Sequence, residues 1–146
     1  MKRVKTPFAS DAVRDTFAEY PSQIQSKLLD IRELIFTTAA TNPVIGPLEE
    51  TLKWGEPACR TTKSRSGSTI RIAWSPRSPT QFGVYFNCQI TLISTAKTLF
   101  PDLFQFSGNR AIIFERKDAI PHNALGVCIE AALTCHADKK KRKRKQ

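Results

Sequence analysis

The sequence lacks most of the patterns on which metal, redox and nucleotide chemistry depend. It has two histidines and four cysteines but no C-x-x-C pair, and it contains no P-loop, G-x-G-x-x-G or G-x-S-x-G motif. Charged residues interrupt every apolar stretch well before the roughly 18 residues of a membrane span. We therefore expect no membrane span, no cofactor and no bound metal, and we favour a binding function over an enzymatic one.

Positive charge is abundant in total but scarce in the body of the chain. The 146 residues carry a formal charge of +10, and ten of the 23 lysines and arginines lie in residues 1–5 and 139–145. The remaining 13 cations are matched by 13 acidic residues in residues 6–138. The pI near 9.8 therefore describes two termini. We expect a basic arm over residues 1–10, one domain over 11–137 and a disordered basic tail over 138–146.

No secretory signal is predicted at the start of the chain. Ser10-Asp11 and Arg14-Asp15 interrupt the region where such a signal needs its apolar segment. Without that signal, the four cysteines are expected to be reduced, small apolar groups of the interior. The sequence therefore predicts a cytoplasmic protein.

Helical periodicity predicts two helices near the start of the chain. Ser10 is the expected N-cap of the first, Pro21 ends it, and Ser22 with Gln25 predicts a capping box for the second. The apolar faces of the two helices are Val13, Phe17 and Tyr20, and Ile24, Leu28, Ile31 and Ile35. Two more helices are expected over 90–99 and from Pro121 onward.

Strand-like alternation dominates the middle of the chain. The predicted strands are 58–61, 68–74, 82–88, 103–106 and 111–114, and residues 49–53 fit either a strand or a short helical turn. Hairpins rather than β-α-β crossovers join these segments, so we predict an α+β fold with an antiparallel sheet of about five strands and helices packed on one face. The open face of the sheet is expected to carry Arg71, Ala73, Gly83, Tyr85 and Asn87.

The most distinctive segment runs from residue 49 to residue 58. Trp54, Gly55 and Pro57 impose a fixed turn there, because glycine can adopt a positive φ and proline cannot donate to a strand ladder. One interpretation is a structural turn in which Trp54 fills the rim of the core. The other is a ligand site rimmed by Lys53, Trp54 and Glu56.

Three segments of the chain resemble the YdhG-like domains of unknown function. They are Ile31-Arg32-Glu33-Leu34-Ile35, Glu49-Glu50-Thr51-Leu52-Lys53-Trp54-Gly55-Glu56-Pro57 and Tyr85-Phe86-Asn87-Cys88. The similarity extends from about residue 11 to about residue 136. It implies a frataxin-like or YdhG-like architecture and little about activity.

Our first functional hypothesis is a small ligand or protein partner bound at the open sheet face. The residues expected to bind it are Lys53, Trp54, Glu56, Arg71, Tyr85 and Asn87. The aromatic rings would form apolar walls, the cations would pair with an anion, and the remaining two side chains would orient it. A homodimer through the same face is an alternative partner.

A second hypothesis assigns nucleic-acid binding to the basic tail. The expected contacts are Lys139, Lys140, Lys141, Arg142, Lys143, Arg144 and Lys145. Such a run binds polyanions with steep salt dependence, and no aromatic residue interleaves it for base stacking. A solubilising appendage and a nuclear address are the alternatives for the same segment.

A third hypothesis, iron delivery, comes only from the resemblance, since some YdhG-like proteins have been called iron chaperones by analogy with frataxin. Hard iron prefers oxygen ligands, and the first helix offers Asp11, Asp15 and Glu19 with Arg14 among them. Adjacent residues on a helix diverge by about 100°, so Cys135 and His136 are not expected to chelate together.

Overall fold

Helices and strands follow one another in the predicted order, with one additional strand at the start of the sheet. The computed structural model describes residues 6–87 and 92–144, and beyond residue 137 it describes the backbone alone. Within that part of the chain the elements are α1 (Asp11–Ala18), α2 (Ser22–Ala40), β1 (Glu49–Lys53), β2 (Glu56–Arg60), β3 (Ile70–Trp74), β4 (Gln81–Phe86), α3 (Leu92–Leu99), β5 (Gln105–Ser107), β6 (Ala111–Glu115) and α4 (His122–Arg144).

The strands form one antiparallel sheet in the order β1-β2-β3-β4-β6-β5. The α+β class and the antiparallel sheet are confirmed, but the described sheet has six strands instead of about five. The additional strand is β1, which pairs along its whole length with β2, from Glu49 opposite Arg60 to Lys53 opposite Glu56. Local sequence could not distinguish this strand from a helical turn, because cross-strand pairing decides the outcome.

Alternation along the strands divides the sheet into two faces. The inner face packs against the helices and contributes to the core Cys59, Ile70, Ile72, Phe82, Val84, Phe86, Ile112 and Phe114. Arg71 and Tyr85 lie opposite each other on the outer face, at positions that the pleat directs away from the helices. The predicted assignment of these residues to two faces is confirmed.

The first two helices begin at the predicted residues, but α1 ends before Tyr20, which was predicted on its apolar face, and one cap also differs. Ser10 caps α1, because its hydroxyl oxygen accepts a hydrogen bond from the Val13 amide at 3.2 Å. The predicted capping box at α2 is wrong, since its N-cap is Pro21, which has no N–H for Gln25 to bind. Gln25 Nε2 instead donates to the Phe17 carbonyl, which ties α2 to the end of α1.

The last helix is longer than predicted. It extends through Arg144, so the backbone of residues 138–144 is helical where the charge run predicts a disordered tail. Adding residues to an existing helix requires no new nucleus, lysine and arginine have high helix propensity, and cations are favoured at a helix C-terminus. None of the described helices is long and apolar enough to cross a membrane. Two predicted boundaries lie outside the described residues: the start of the third helix at residue 90 and the end of the preceding strand at Cys88.

Candidate functional site

A tight turn between β1 and β2 exposes a tryptophan. Lys53 and Glu56 form the last pair of the hairpin, and Trp54 and Gly55 connect them with φ angles of 54° and 76°. Two-residue hairpin turns of this kind require positive φ at both positions. The Trp54 side chain is 80% exposed, so the interpretation in which it fills the core rim is wrong. The turn lies beyond the last paired residues of the sheet, where there is no core to fill.

The backbone of Trp54 is strained. Positive φ is ordinary for glycine, but in a bulky residue it brings Cβ close to the backbone and costs on the order of 1–2 kcal/mol. A strained residue whose side chain is also exposed contributes little to folding. Such positions are concentrated at binding sites, where the strain fixes the direction of a side chain.

Arg71 lies between two aromatic rings on the outer face. Its Cζ is 5.3 Å from the centre of the Trp54 ring and 4.9 Å from that of Tyr85, both within cation–π range. Lys53 Nζ lies 5.0 Å from the Trp54 ring as well. The structure therefore gathers four of the predicted site residues, from three strands and a turn, into one stack of rings and cations.

Glu56 holds one side of the Arg71 guanidinium. Its Oε1 lies 2.6 Å from Arg71 Nε in an ion pair whose angle does not give a hydrogen bond. Among the described residues, no acceptor bonds to the two terminal nitrogens of Arg71. Glu56 therefore orients the guanidinium and leaves its planar end available to an anion.

A small cavity lies next to this stack. Its volume is about 40 Å³, and it is lined by Lys53, Thr69, Arg71, Tyr85, Phe86, Asn87 and Arg110. That space holds a few waters at most, so a larger ligand would lie on the face instead of inside it. Asn87, the sixth predicted residue, is part of this lining.

Sequence reasoning missed three residues of this lining, Thr69, Phe86 and Arg110. Arg110 reaches the site because its carbonyl accepts a hydrogen bond from the Phe86 amide at 2.7 Å, which joins the β5–β6 turn to β4. The pairing of β4 with β3 and with β6 brings these residues together, and no local pattern signals it. The site thus gains a cation that the prediction did not include.

The centre of the outer face has a floor of small residues. Ala58, Ala73, Gly83 and Ala111 carry no side chain long enough to rise above the sheet, and the Tyr85 ring lies over Gly83. A Cβ built at Gly83 would lie 2.9 Å from Tyr85 Cε2. Gly83 therefore leaves room for the Tyr85 ring and for the side chain of Ile113, its partner on β6.

A second arginine–glutamate pair lies buried on the other side of the sheet. Arg32 is 1% exposed, and its Nε and Nη2 donate to the two carboxylate oxygens of Glu50 at 2.6 and 2.9 Å. Its Nη1 and Nη2 also donate to the carbonyls of Thr6 and Pro7. This pair fastens residues 6–9 to α2 and β1, and the sequence analysis did not anticipate it.

The buried pair also affects a thiol. The pKa of Cys59 is raised to about 12, mainly by burial and also by the Glu50 carboxylate, while Arg32 acts in the opposite direction. Burial likewise raises the pKa of Cys128 to about 11. Cysteines with such pKa values are protonated at neutral pH and unreactive, which fits interior packing.

The loop between β2 and β3 docks onto α4. The Ser66 hydroxyl donates to the Leu133 carbonyl at 2.6 Å, and the Ser66 carbonyl accepts from the amide of His136 at 2.8 Å. The Ser68 amide donates to the Ala132 carbonyl at 2.9 Å. Ala132 and His136 are the residues whose carbonyl and amide pair in a regular helix, and here each has a partner in the loop. The loop therefore joins two antiparallel strands, as predicted, and in addition docks against α4.

Cysteine and histidine side chains near this loop lie close together. Cys135 Sγ is 3.9 Å from His136 Nδ1 and 3.3 Å from the Ser68 hydroxyl. The expectation that the adjacent pair diverges was therefore too strict, although 3.9 Å is a weak contact. Within the described residues, no group of three or more Cys, His, Asp or Glu side chains could hold a metal ion.

Two of the three carboxylates considered for iron, Asp11 and Asp15, are paired with an arginine. Arg14 lies between Asp11 and Asp15, with nitrogen–oxygen distances of 3.2 and 3.3 Å. Both carboxylates are on the exposed side of α1. The cationic partner opposes the binding of a positively charged ion at this position.

The class that fold and site define is an α+β protein with an open sheet face that carries aromatic rings and cations. Comparison with protein-family models, with curated proteins and with solved structures finds no match for this chain.

Proposed function

We propose that this protein is a binding protein whose outer sheet face holds an anionic ligand with a flat ring. The single observation that carries the proposal is the placement of the Arg71 guanidinium between Tyr85 and the exposed, strained Trp54. Membership of the YdhG-like family is part of the same proposal, since its most specific segment, Lys53 to Pro57, forms the turn that presents the tryptophan.

The chemistry of the face supports an anion. Lys53, Arg71 and Arg110 line the small cavity, and no carboxylate lines it with them. Guanidinium groups bind phosphate and carboxylate through paired donors, and the terminal nitrogens of Arg71 keep that capacity. Glu56 preorganises the arginine, which reduces the entropy lost on binding.

The exposed Trp54 is the reason for proposing that the ligand contains a flat ring. The Trp54 indole is exposed although it is large and apolar, and the tight turn places it over Lys53 and Arg71. An indole in that position offers a face on which a ligand ring can stack, and stacking on aromatic side chains contributes about 1–3 kcal/mol for a nucleic-acid base.

Fluorescence titration tests the proposal with adenosine monophosphate, which joins a flat ring to a phosphate. In a Trp74→Phe background the emission reports Trp54 alone among the two tryptophans. We expect quenching by the nucleotide at lower concentration than by adenosine or by inorganic phosphate. Arg71→Ala should weaken binding of the nucleotide about tenfold.

Lys97→Ala is the matched control, because Lys97 Nζ also lies over a ring, that of Phe106, at 5.7 Å. This variant should bind the nucleotide like the parent. Equal binding by Arg71→Ala and the parent, or equal quenching by adenosine and the nucleotide, would contradict the proposal.

A further inference from the structure

A second, larger depression continues the cationic face toward α4. Its volume is about 360 Å³, and we call it the loop groove; its lining residues are Arg60, Thr61, Thr62, Arg65, Gly67, Thr69 and His136. These side chains are cationic or neutral and polar. Nothing in the sequence analysis assigned a function to this groove.

The loop groove is rigidly built. Thr61 Oγ1 donates to the Gly67 carbonyl at 3.0 Å and accepts from the Gly67 amide at 3.1 Å, which closes the loop on itself. The Ser66 contacts with α4 then fix the closed loop to the helix. A groove held in this way loses little conformational entropy when it binds a ligand.

The loop groove and the Arg71 stack are parts of one surface. Thr69 lines both the groove and the small cavity beneath Arg71. Thr69 is the residue just before β3 and lies two positions before Arg71, and residues two apart in an extended segment are about 7 Å apart on the same side. The surface therefore runs from the Trp54 turn, across the sheet, to the position of His136 on α4.

Cations outnumber carboxylates along this surface. The cations are Lys53, Arg60, Arg65, Arg71 and Arg110. Two carboxylates lie beside them, Glu56 on Arg71 and Glu49 at 3.7 Å from Arg60. Three residues beyond His136 the sequence continues with six lysines and arginines along the backbone of α4, at 139–144. The surface formed by the Arg71 stack and the loop groove is thus complementary to a chain of anions.

We propose that the ligand of this surface is a single strand of nucleic acid, with bases stacked at Trp54 and its phosphates following the loop groove. This inference rests on the proposed function and adds the class of ligand. A single strand combines regularly spaced anions with flat rings, and proteins that bind one pair a cationic groove with aromatic side chains. An acidic peptide would match the cations but would leave the exposed indole without a ring to stack on.

Fluorescence anisotropy tests the inference with a labelled oligonucleotide of about 12 nucleotides, a length within the usual site sizes. The competitors are the same sequence as a duplex and a polyglutamate of equal charge. We expect the single strand to bind more tightly than either competitor. Its affinity should fall steeply as salt rises from 50 to about 200 mM, because phosphate contacts release counterions.

Two double variants test whether binding depends on the cations of the loop groove or on positive charge anywhere on the protein. Arg60→Ala with Arg65→Ala should weaken oligonucleotide binding at least tenfold and reduce the salt slope by about 1–1.5, since each phosphate contact contributes about 0.7 for single strands. Arg116→Ala with Lys117→Ala removes the same charge beside the start of α2 and should change binding less than twofold. Equal losses in the two variants would overturn the inference.

A full-length variant with glutamine at residues 139–145 separates the groove from the basic run. We expect it to retain the preference for the single strand, with a smaller salt slope. Binding that disappears in this variant, or a duplex or polyglutamate that binds equally well, would overturn the inference. If adenosine monophosphate still binds at Trp54 while the oligonucleotide binds no more tightly than it does, the proposed function stands and the inference fails.

Discussion

Two arginines of this protein have nearly the same surroundings and opposite roles. Arg32 and Arg71 each contact a glutamate at 2.6 Å, and each has its Cζ over two aromatic rings, at 4.4 and 4.9 Å for Arg32 and at 5.3 and 4.9 Å for Arg71. Arg32 is 1% exposed and its donors are used by Glu50 and two carbonyls, whereas the Arg71 side chain is 24% exposed. Arg32, whose three nitrogens all donate to groups of the protein, holds the fold together. Arg71, whose two terminal nitrogens have no such acceptor among the described residues, is able to bind a ligand.

The largest expected effect comes from removing the buried arginine. Arg32→Met leaves the Glu50 carboxylate in the interior without its main partner, which should lower the free energy of unfolding by about 3–5 kcal/mol. Arg71→Met should lower it by no more than about 1 kcal/mol, because its ion pair is partly exposed to water. Urea denaturation of both variants measures the difference. Similar losses in the two variants would contradict the distinction between the buried Arg32 and the partly exposed Arg71.

The next effect concerns the β2–β3 loop, which forms part of the loop groove. A Cβ at Gly67 would lie 2.2 Å from the Leu133 backbone carbon, so Gly67→Ala should push the loop away from α4 and cost about 2–3 kcal/mol. The control is Gly126→Ala within α4, where the new Cβ would lie at an ordinary contact distance of 3.8 Å from Leu34 Cδ1 of α2. This variant should be more stable than the parent by about 0.5–1 kcal/mol. Thermal unfolding followed by circular dichroism would show the two variants shifting in opposite directions; a Gly67→Ala protein as stable as the parent would rule out tight docking.

A smaller effect on stability comes from the buried thiol of Cys59 and depends on pH. The pKa of Cys59 is raised to about 12, so the folded state keeps a proton that the unfolded state begins to lose near pH 9. Because the unfolded state then binds fewer protons, stability falls as pH rises above 9, by about 1–2 kcal/mol at pH 10. Denaturation of the parent and of Cys59→Ala at pH 7 and pH 10 measures this contribution. The variant should lose less stability than the parent between the two pH values, and an identical loss would contradict the assignment.

The smallest expected effect is a gain in stability when Trp54 is replaced. Asparagine tolerates positive φ better than tryptophan, so Trp54→Asn should raise the free energy of unfolding by about 0.5–1 kcal/mol while binding is lost. Trp54→Phe keeps the strain and should leave stability unchanged. Calorimetric unfolding of the three proteins distinguishes these cases. A clear destabilisation by Trp54→Asn would mean that the indole stabilises the fold.

Local patterns in the sequence predicted much of the fold and part of the site. Alternation assigned Arg71 and Tyr85 to the outer face, and the Trp54-Gly55 pair indicated a turn, because strand period and backbone freedom are properties of neighbouring residues. The exposure of Trp54 was not predictable in the same way. An aromatic residue in a turn packs inward or outward according to what lies beyond the turn, which the segment itself does not contain.

The sequence by itself therefore determined the α+β class, the antiparallel sheet and which residues share its open face. Only the tertiary structure decided that Arg71 lies between Trp54 and Tyr85, that Arg110 and Thr69 join them, and that the β2–β3 loop docks on α4 to form the loop groove. The physical reason is range. Periodicity and turn chemistry act over a few residues, whereas ion pairs, ring contacts and loop docking depend on the register of strands and helices that lie far apart in the chain.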